Sequence, residues 1–272
     1  MCMIFLGKRM ADESENSNSK RILAELAVPI YNDLLQPGVK EVGRALTVIG
    51  KTTNLALAPL RGVVWSYEIF ESWLVSKVEP HFSNVDSSQI GSPDLAIAGP
   101  LVNAMKYVAE DTTLTEMYAK LLATSMIKDE RRNAHPGFVH LIGQLTQDEA
   151  KLIAHIFKSG PAAIVLPMLI DHKKSRSKTY RSRLSCLPFD ADCTFPEDFQ
   201  LYLDNLRRLQ ICEYDDDSFM VEKKDEYDRV FELPSMVDVL KEGESEGYDL
   251  AVAKGHVTLS VFGARFAKAC IA

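Results

Sequence analysis

Two stretches of the form Thr-x-x-Glu fix where helices can start in this chain: Thr113-Leu114-Thr115-Glu116 and Thr146-Gln147-Asp148-Glu149. In such a capping box the Thr hydroxyl accepts from a backbone N–H that has no partner inside the helix, and the Glu carboxylate reaches back to the Thr amide. Each box is followed by apolar residues at the spacing of a helix buried on one side. After the first come Leu114, Met117, Tyr118, Leu121, Leu122 and Met126; after the second come Leu152, Ile153, Ile156 and Phe157, with Gly160-Pro161 ending the run. Between them lies Ala134-His135-Pro136-Gly137-Phe138-Val139, where Pro136 sets a turn and Phe138 is the expected anchor.

The chain upstream reads as helix too. Ile22, Leu23, Leu26 and Ile30 form one stripe, and Pro37 suits the first turn of a second helix bearing Val39, Val42, Leu46 and Ile49. After Pro59 a third stripe runs through Leu60, Val63, Val64, Tyr67, Phe70, Leu74 and Val78 until Pro80 stops it. Residues 81–99 carry Asn, Ser, Gly and Pro and read as a loop, after which Pro100 opens a helix with Leu101, Met105 and Val108. Residues 1–20 are expected to be a flexible leader: Met3–Leu6 is short and lacks the basic flank of a signal peptide, and the next ten residues are polar. The stretch from Ala45 to Trp65 is apolar, but Lys51, Pro59 and Arg61 interrupt it. A spanning helix wants about 20 nearly unbroken apolar residues. Leu60, Val63, Val64, Tyr67 and Phe70 are therefore a candidate membrane or partner face, one that lies on a bilayer rather than crossing it, unless they pack into a helical core.

The last third changes character. Ala163–Ile170 is an apolar run readable as strand or helix; Pro196 starts a helix with Phe199, Leu201, Leu203, Leu206 and Leu209; Ile211–Tyr214 and Gly255–Ser260 read as strands; and Val261–Phe266 begins a closing helix. Helix, strand, insert, strand, helix is the order around the wing of a winged-helix unit.

Charge and side-chain chemistry narrow the function. With 31 Lys and Arg against 38 Asp and Glu the net charge is −7, which disfavours a nucleic-acid-binding role for the chain as a whole. One local basic run, Lys173, Lys174, Arg176, Lys178, Arg181 and Arg183 with Tyr180, is a candidate phosphate contact, together with the helix carrying Asn205, Arg207 and Arg208. Asp215–Asp217 nearby would oppose it. The cysteines Cys2, Cys186, Cys193, Cys212 and Cys270 are scattered without a CxxC pair, so neither a zinc site nor a disulfide framework is expected. His135, His140 and His155 lack the helical spacing and Glu of a zinc peptidase, because Pro136 and Gly137 lie among them. Asp215–Asp217 followed by Glu222-Lys223-Lys224 loosely matches metal-dependent nucleases, which need acids on adjacent strands; a charged loop at a wing tip is the simpler reading. No nucleophile elbow, phosphate loop or dinucleotide glycine pattern occurs. No catalytic residue, metal or cofactor is expected.

Several segments in order resemble the abortive infection alpha family: Ile30-Tyr31-Asn32-Asp33-Leu34-Leu35-Gln36-Pro37, Leu57-Ala58-Pro59-Leu60-Arg61-Gly62, Met117–Ala123, His135-Pro136-Gly137-Phe138-Val139, Gln144-Leu145-Thr146-Gln147-Asp148-Glu149-Ala150, and Val257–Gly263 with Cys270-Ile271. The resemblance covers nearly everything from Ile22 onward. It implies a bacterial protein linked to defence against bacteriophage, in which the infected cell stops growing or dies before the phage matures. It transfers no catalytic residue. His135, Pro136, Phe138, Gln144, Leu145, Thr146 and Glu149 are read as structural.

The expected architecture is mainly α: a leader over 1–20, a helical domain over 21–144, and a winged-helix-like α+β domain over 145–272. The expected function is a non-catalytic sensor or effector acting through a protein partner, self-association or, on activation, a membrane surface; the alternative is a DNA-binding regulator of a defence or toxin system. The expected location is the cytoplasm or the periphery of the inner membrane. If the stripe around Val63 enters lipid, Val63→Asp with Val64→Asp abolishes the early loss of membrane potential in infected cells, read with a voltage-sensitive dye, while circular dichroism stays unchanged. A potential that never falls in the wild type removes the membrane role.

Overall fold

The computed structural model describes residues 72–105, 107–108, 113–171, 176–180 and 182–271. The upstream stripes and the leader lie outside the described residues. The chain divides into two compact units, with 72–94 and 126–129 in the first and the remaining described residues in the second.

In the first unit a helical turn, Leu74–Val78, runs into a tighter one, Glu79–Phe82, so helical backbone passes Pro80 instead of stopping there. The stretch read as a loop over 81–99 holds a further turn, Ser87–Gln89, and the start of a helix at Leu95. Trp73, Leu74, Val78 and Phe82 are buried. Asp86 caps the next turn by accepting from Ser88 N at 2.8 Å. Ile90 then pairs antiparallel with Ile127, flanked by Gly91 N to Met126 O (2.8 Å) and Lys128 N to Gln89 O (2.9 Å).

The second unit is mainly helical around one antiparallel sheet. Helix α1 spans Leu95–Met105 and α2 Thr113–Met126. Pro100 lies inside α1 rather than opening it. Ile97, Ala98, Leu101 and Met105 are all at most 2% exposed, and burying that stripe outweighs the roughly 3 kcal/mol that an interior proline costs. The described part of α2 begins at Thr113, and residues 109–112 before it lie outside the described residues.

Helices α3 (Gly137–Ile142) and α4 (Gln147–Ser159) lead into strand β1, Ala162–Asp171, which settles the apolar run as strand. Strand β2 (Arg176–Thr179) folds back on β1. A one-turn helix α5 (Leu187–Asp190) and helix α6 (Phe199–Arg208) come next. They are followed by β3 (Cys212–Asp215), α7 (Lys224–Val230), α8 (Pro234–Glu246), β4 (Asp249–Leu259) and α9 (Val261–Cys270). The sheet order is β2-β1-β4-β3, all antiparallel.

Strand β4 serves two partners: Asp249–Val257 pair with β1, while His256–Leu259 pair with β3. The segment between β3 and β4 is not the charged loop that its sequence suggests. It is two packed helices whose Tyr227, Val230, Met236 and Val239 join Val165 and Leu169 of β1 in one apolar cluster. Apolar residues at helical spacing within a charged stretch account for the difference. On this side the Lys254 ammonium lies 5.5–5.6 Å from the ring centres of Phe219, Tyr227 and Phe231, so the cation is held by aromatic faces.

Two glycines fix how closely the backbones approach. A Cβ on Gly255 would lie 1.8 Å from Asp215 O, and one on Gly263 would lie 1.9 Å from Ile211 O. Around Gly263 the Ser260 hydroxyl caps α9 by accepting from Gly263 N (2.8 Å) and donates to Gln210 O (2.6 Å), while Ser260 N donates to Ile211 O (3.0 Å). Gly263→Ala must push that turn away and is expected to lower stability by about 3 kcal/mol. Gly99→Ala meets no atom within 4 Å on its helix and is expected to be neutral or stabilising by up to about 1 kcal/mol. Urea midpoints of the two variants check this; equal shifts would refute the packing argument.

Candidate functional site

The start of α4 is where the family-motif residues gather. Thr146 and Glu149 form the capping box that the sequence predicts: Thr146 Oγ1 accepts from Glu149 N at 3.2 Å, and Glu149 Oε2 accepts from Thr146 N at 2.7 Å. The other Glu149 oxygen accepts from Asn205 of α6 at 2.8 Å. Gln144 completes the junction, since its backbone oxygen accepts from Asn205 (3.1 Å) and its side-chain oxygen from Arg208 (3.2 Å). Leu145 is 6% exposed beside them.

Asp148, which sequence reasoning missed, is the centre. It is 4% exposed and accepts from Thr194 N (2.9 Å), Phe195 N (3.0 Å) and the Tyr202 hydroxyl (3.1 Å), with the Lys151 ammonium 3.5 Å away. Burial pushes its carboxyl upward, but the two amides, the Tyr202 hydroxyl and Lys151 outweigh it and hold it below the usual aspartate range. Burial and the same hydrogen bond push the Tyr202 hydroxyl well up. An acid within the first turn of a capped helix was the available signal; its partners, more than forty residues on, left no local trace.

The second motif is held by contacts within the fold. His135 Nδ1 accepts from Gly137 N at 3.0 Å, and Pro136 stands immediately before α3. Phe138 is 1% exposed; its ring lies 5.7 Å from His135 and meets Phe262 and Phe266 of α9 edge-on at 5.6 and 5.2 Å. The Tyr118 hydroxyl donates to Val139 O at 3.3 Å, and burial, followed by the charge of Cys270, pushes it up to about 12. Arg265 donates to Arg132 O, and Thr124 donates to Ala269 O at 3.0 Å, closing α9 onto the helices before it.

The candidate nucleic-acid contacts are described only in part. Lys173, Lys174 and Arg181 lie outside the described residues, and Arg176 sits in β2 with its side chain undescribed. Lys178 pairs with Glu242 of α8, which also accepts from the Tyr180 hydroxyl. Arg183 is held by both oxygens of Asp216 (2.7 and 2.6 Å) and stacks over the Tyr214 ring at 4.0 Å, with Arg207 4.5 Å from the same ring. Arg207 also donates to the Tyr214 hydroxyl, and Arg208 to Asn205 and Gln144. From Leu187 to Leu206 the chain holds five acids and no Lys or Arg. Along it Phe189, Phe195 and Leu201 are 52, 55 and 65% exposed. Leu60, Val63, Val64, Tyr67 and Phe70 lie outside the described residues.

No group of three or more His, Cys, Asp or Glu among the described residues is arranged to hold a metal. His135 and His140 are exposed; His155 lines a cleft of about 20 Å³ with Ser159, Cys186, Asp190, Lys223 and Glu226, a space the size of one water. Asp215 ends β3, Asp217 N turns back to the Asp215 carboxylate, and Glu222 and Lys223 lie in a helical turn, so these acids do not face one another across paired strands. Burial pushes the thiols of Cys186, Cys193, Cys212 and Cys270 up, Cys193 to about 11 and Cys212 to about 12, which keeps them protonated near neutrality.

The family model described as abortive infection alpha matches residues 66–270, and the chain belongs to that family. No curated protein matches it. Among solved structures it is similar to an uncharacterized protein from the hydrocarbon-degrading marine bacterium Alcanivorax borkumensis SK2, at 15% identity and a TM-score of 0.36 over 51% of this chain and 92% of that one.

The depressed Asp148 carboxyl has a pH signature. Its contribution is complete above the unfolded aspartate pKa and is lost as pH falls through the lower, folded value. Asp148→Asn is expected to cost about 3 kcal/mol at neutral pH, because it leaves buried donors facing an amide. The gap from wild type should close as pH falls below about 4. Denaturant titrations of both proteins across that range test it; a gap that does not change with pH would show that the charge does not matter.

Proposed function

We propose that the protein serves in abortive infection by binding a protein partner, without catalysis, and that its second half is a winged-helix-like docking module. The family supports the defence role. The module reading is supported by the order α4, β1, α5, α6, β3, β4 and by the pairing β1-β4-β3, with α7 and α8 as an enlarged insert where a wing would be. The single observation that carries the choice of partner is the composition of residues 187–206, which run from α5 to Leu206 of α6, just before Arg207 and Arg208. Five acids, no Lys or Arg, and three exposed apolar side chains suit a protein surface and oppose a phosphate backbone. No helix among the described residues is long and apolar enough to cross a membrane.

Carried by a phage-sensitive bacterium, the gene is expected to lower the plating efficiency of at least one phage, with infected cultures ceasing growth before progeny appear. Purified protein is expected to give no salt-dependent gel shift. A shift at low salt that disappears in a variant carrying Lys173→Glu, Lys174→Glu and Arg176→Glu would favour the DNA-binding reading instead. Normal plating of every phage in a broad panel would sink the defence role.

A further inference from the structure

We infer that the segment from Leu187 to Leu206 is a docking face for a protein segment whose apolar anchors are flanked by Lys and Arg; the inference rests on the contact reading above. Phe189, Phe195 and Leu201 stand more than half exposed within this short stretch. Single exposed apolar residues are ordinary, but three large ones on α5, the turn after it and α6 make a coherent candidate for hot-spot burial.

The acids around them define the partner. Asp192, Glu197, Asp198 and Asp204 are exposed. Asp190 is neutralised by Arg229, whose two terminal nitrogens donate to it at 2.6 and 3.1 Å, and Asp204 accepts only from the neutral Gln200 amide at 2.9 Å. Lys151, which donates to Asp192 O, is paired with Asp148, and Arg183, which reaches Gln200, is paired with Asp216. Arg207 and Arg208 have only neutral partners in Tyr214, Asn205 and Gln144, and their two charges are outnumbered by the four exposed acids. The face therefore carries a net negative field that attracts basic partners and repels phosphates, including those of anionic lipid. A second copy docked by the same face would set acids against acids, since a two-fold interface opposes like with like.

The face is also rigid before binding, which lowers the ordering cost of association. The Thr194 and Phe195 amides are fixed on the buried Asp148 carboxylate. Cys193 N donates to Pro188 O at 2.9 Å, and Asp192 takes the left-handed conformation (φ 55°) that closes the turn.

The test uses the full chain and two sets of fluorescein-labelled peptides with identical Leu and Phe positions, one set spaced by Lys and Arg and the other by Glu. Polarisation is expected to show the basic set binding at least about tenfold tighter, with affinity falling as salt rises. Phe195→Ser with Leu201→Ser should abolish binding while circular dichroism stays unchanged. Glu197→Lys with Asp204→Lys, which spares the anchors, should reverse the charge preference. Equal affinity for both sets, or binding indifferent to the Ser variants, overturns the proposal. So does binding to phosphatidylglycerol vesicles, or a dimer in sedimentation that the Ser variants dissolve. In plating assays, a wild type and Ser variants that defend equally would remove this face but leave the defence role standing. Charge-selective peptide binding by a protein that protects against no phage would do the reverse.

Discussion

One buried carboxylate organises the second unit. Asp148 sits in the first turn of α4, where the exposed amides of the helix end favour negative charge, and it spends its oxygens on the backbone of residues 194–195 and on Tyr202 of α6. A charge buried at 4% exposure is tolerable only because each lone pair finds a donor. That requirement brings α4, the turn before α6 and α6 itself to a single point. Glu149 and Gln144 then add Asn205 and Arg208 on the flank. Helix α6 is thus positioned by acids in the first turn of its neighbour.

The same economy explains which parts of the fold were legible in the sequence. The α4 start was readable because a capping box is local: Thr146 and Glu149 need only each other. The strand at 212–215, the second half of β4 from Gly255 and the closing helix were readable from their period and punctuation, whereas the first half of β4, from Asp249 to Lys254, was not read as strand. Pro100 misled because a local rule about prolines met a stripe of four buried residues that overrode it. The two helices between β3 and β4 were hidden by charge, since Tyr227, Val230, Met236 and Val239 are spaced among acids and lysines that dominate the composition.

The candidate site was legible only as residues, not as relationships. His135, Phe138, Gln144, Thr146 and Glu149 stood out as a motif, and their structural character follows from what each touches. In the basic run two of the described cations have partners that the sequence does not place beside them: Glu242 for Lys178 and Asp216 for Arg183. A cation's availability is a property of the fold rather than of the sequence. The acidic, apolar character of 187–206 was visible throughout, but its meaning required knowing that Phe189, Phe195 and Leu201 remain uncovered.

The buried thiols carry a last implication. Cys270 is 1% exposed near the end of α9, and burial keeps its sulfur protonated and out of reach of alkylating reagents. That helix is anchored by the Phe138 ring and by the Gly263 approach to Ile211, neither of which survives its displacement. Any activation step that peels α9 away would expose a thiol that the resting protein conceals. Displacement of α9 would thus be read as new reactivity of Cys270 toward an alkylating reagent.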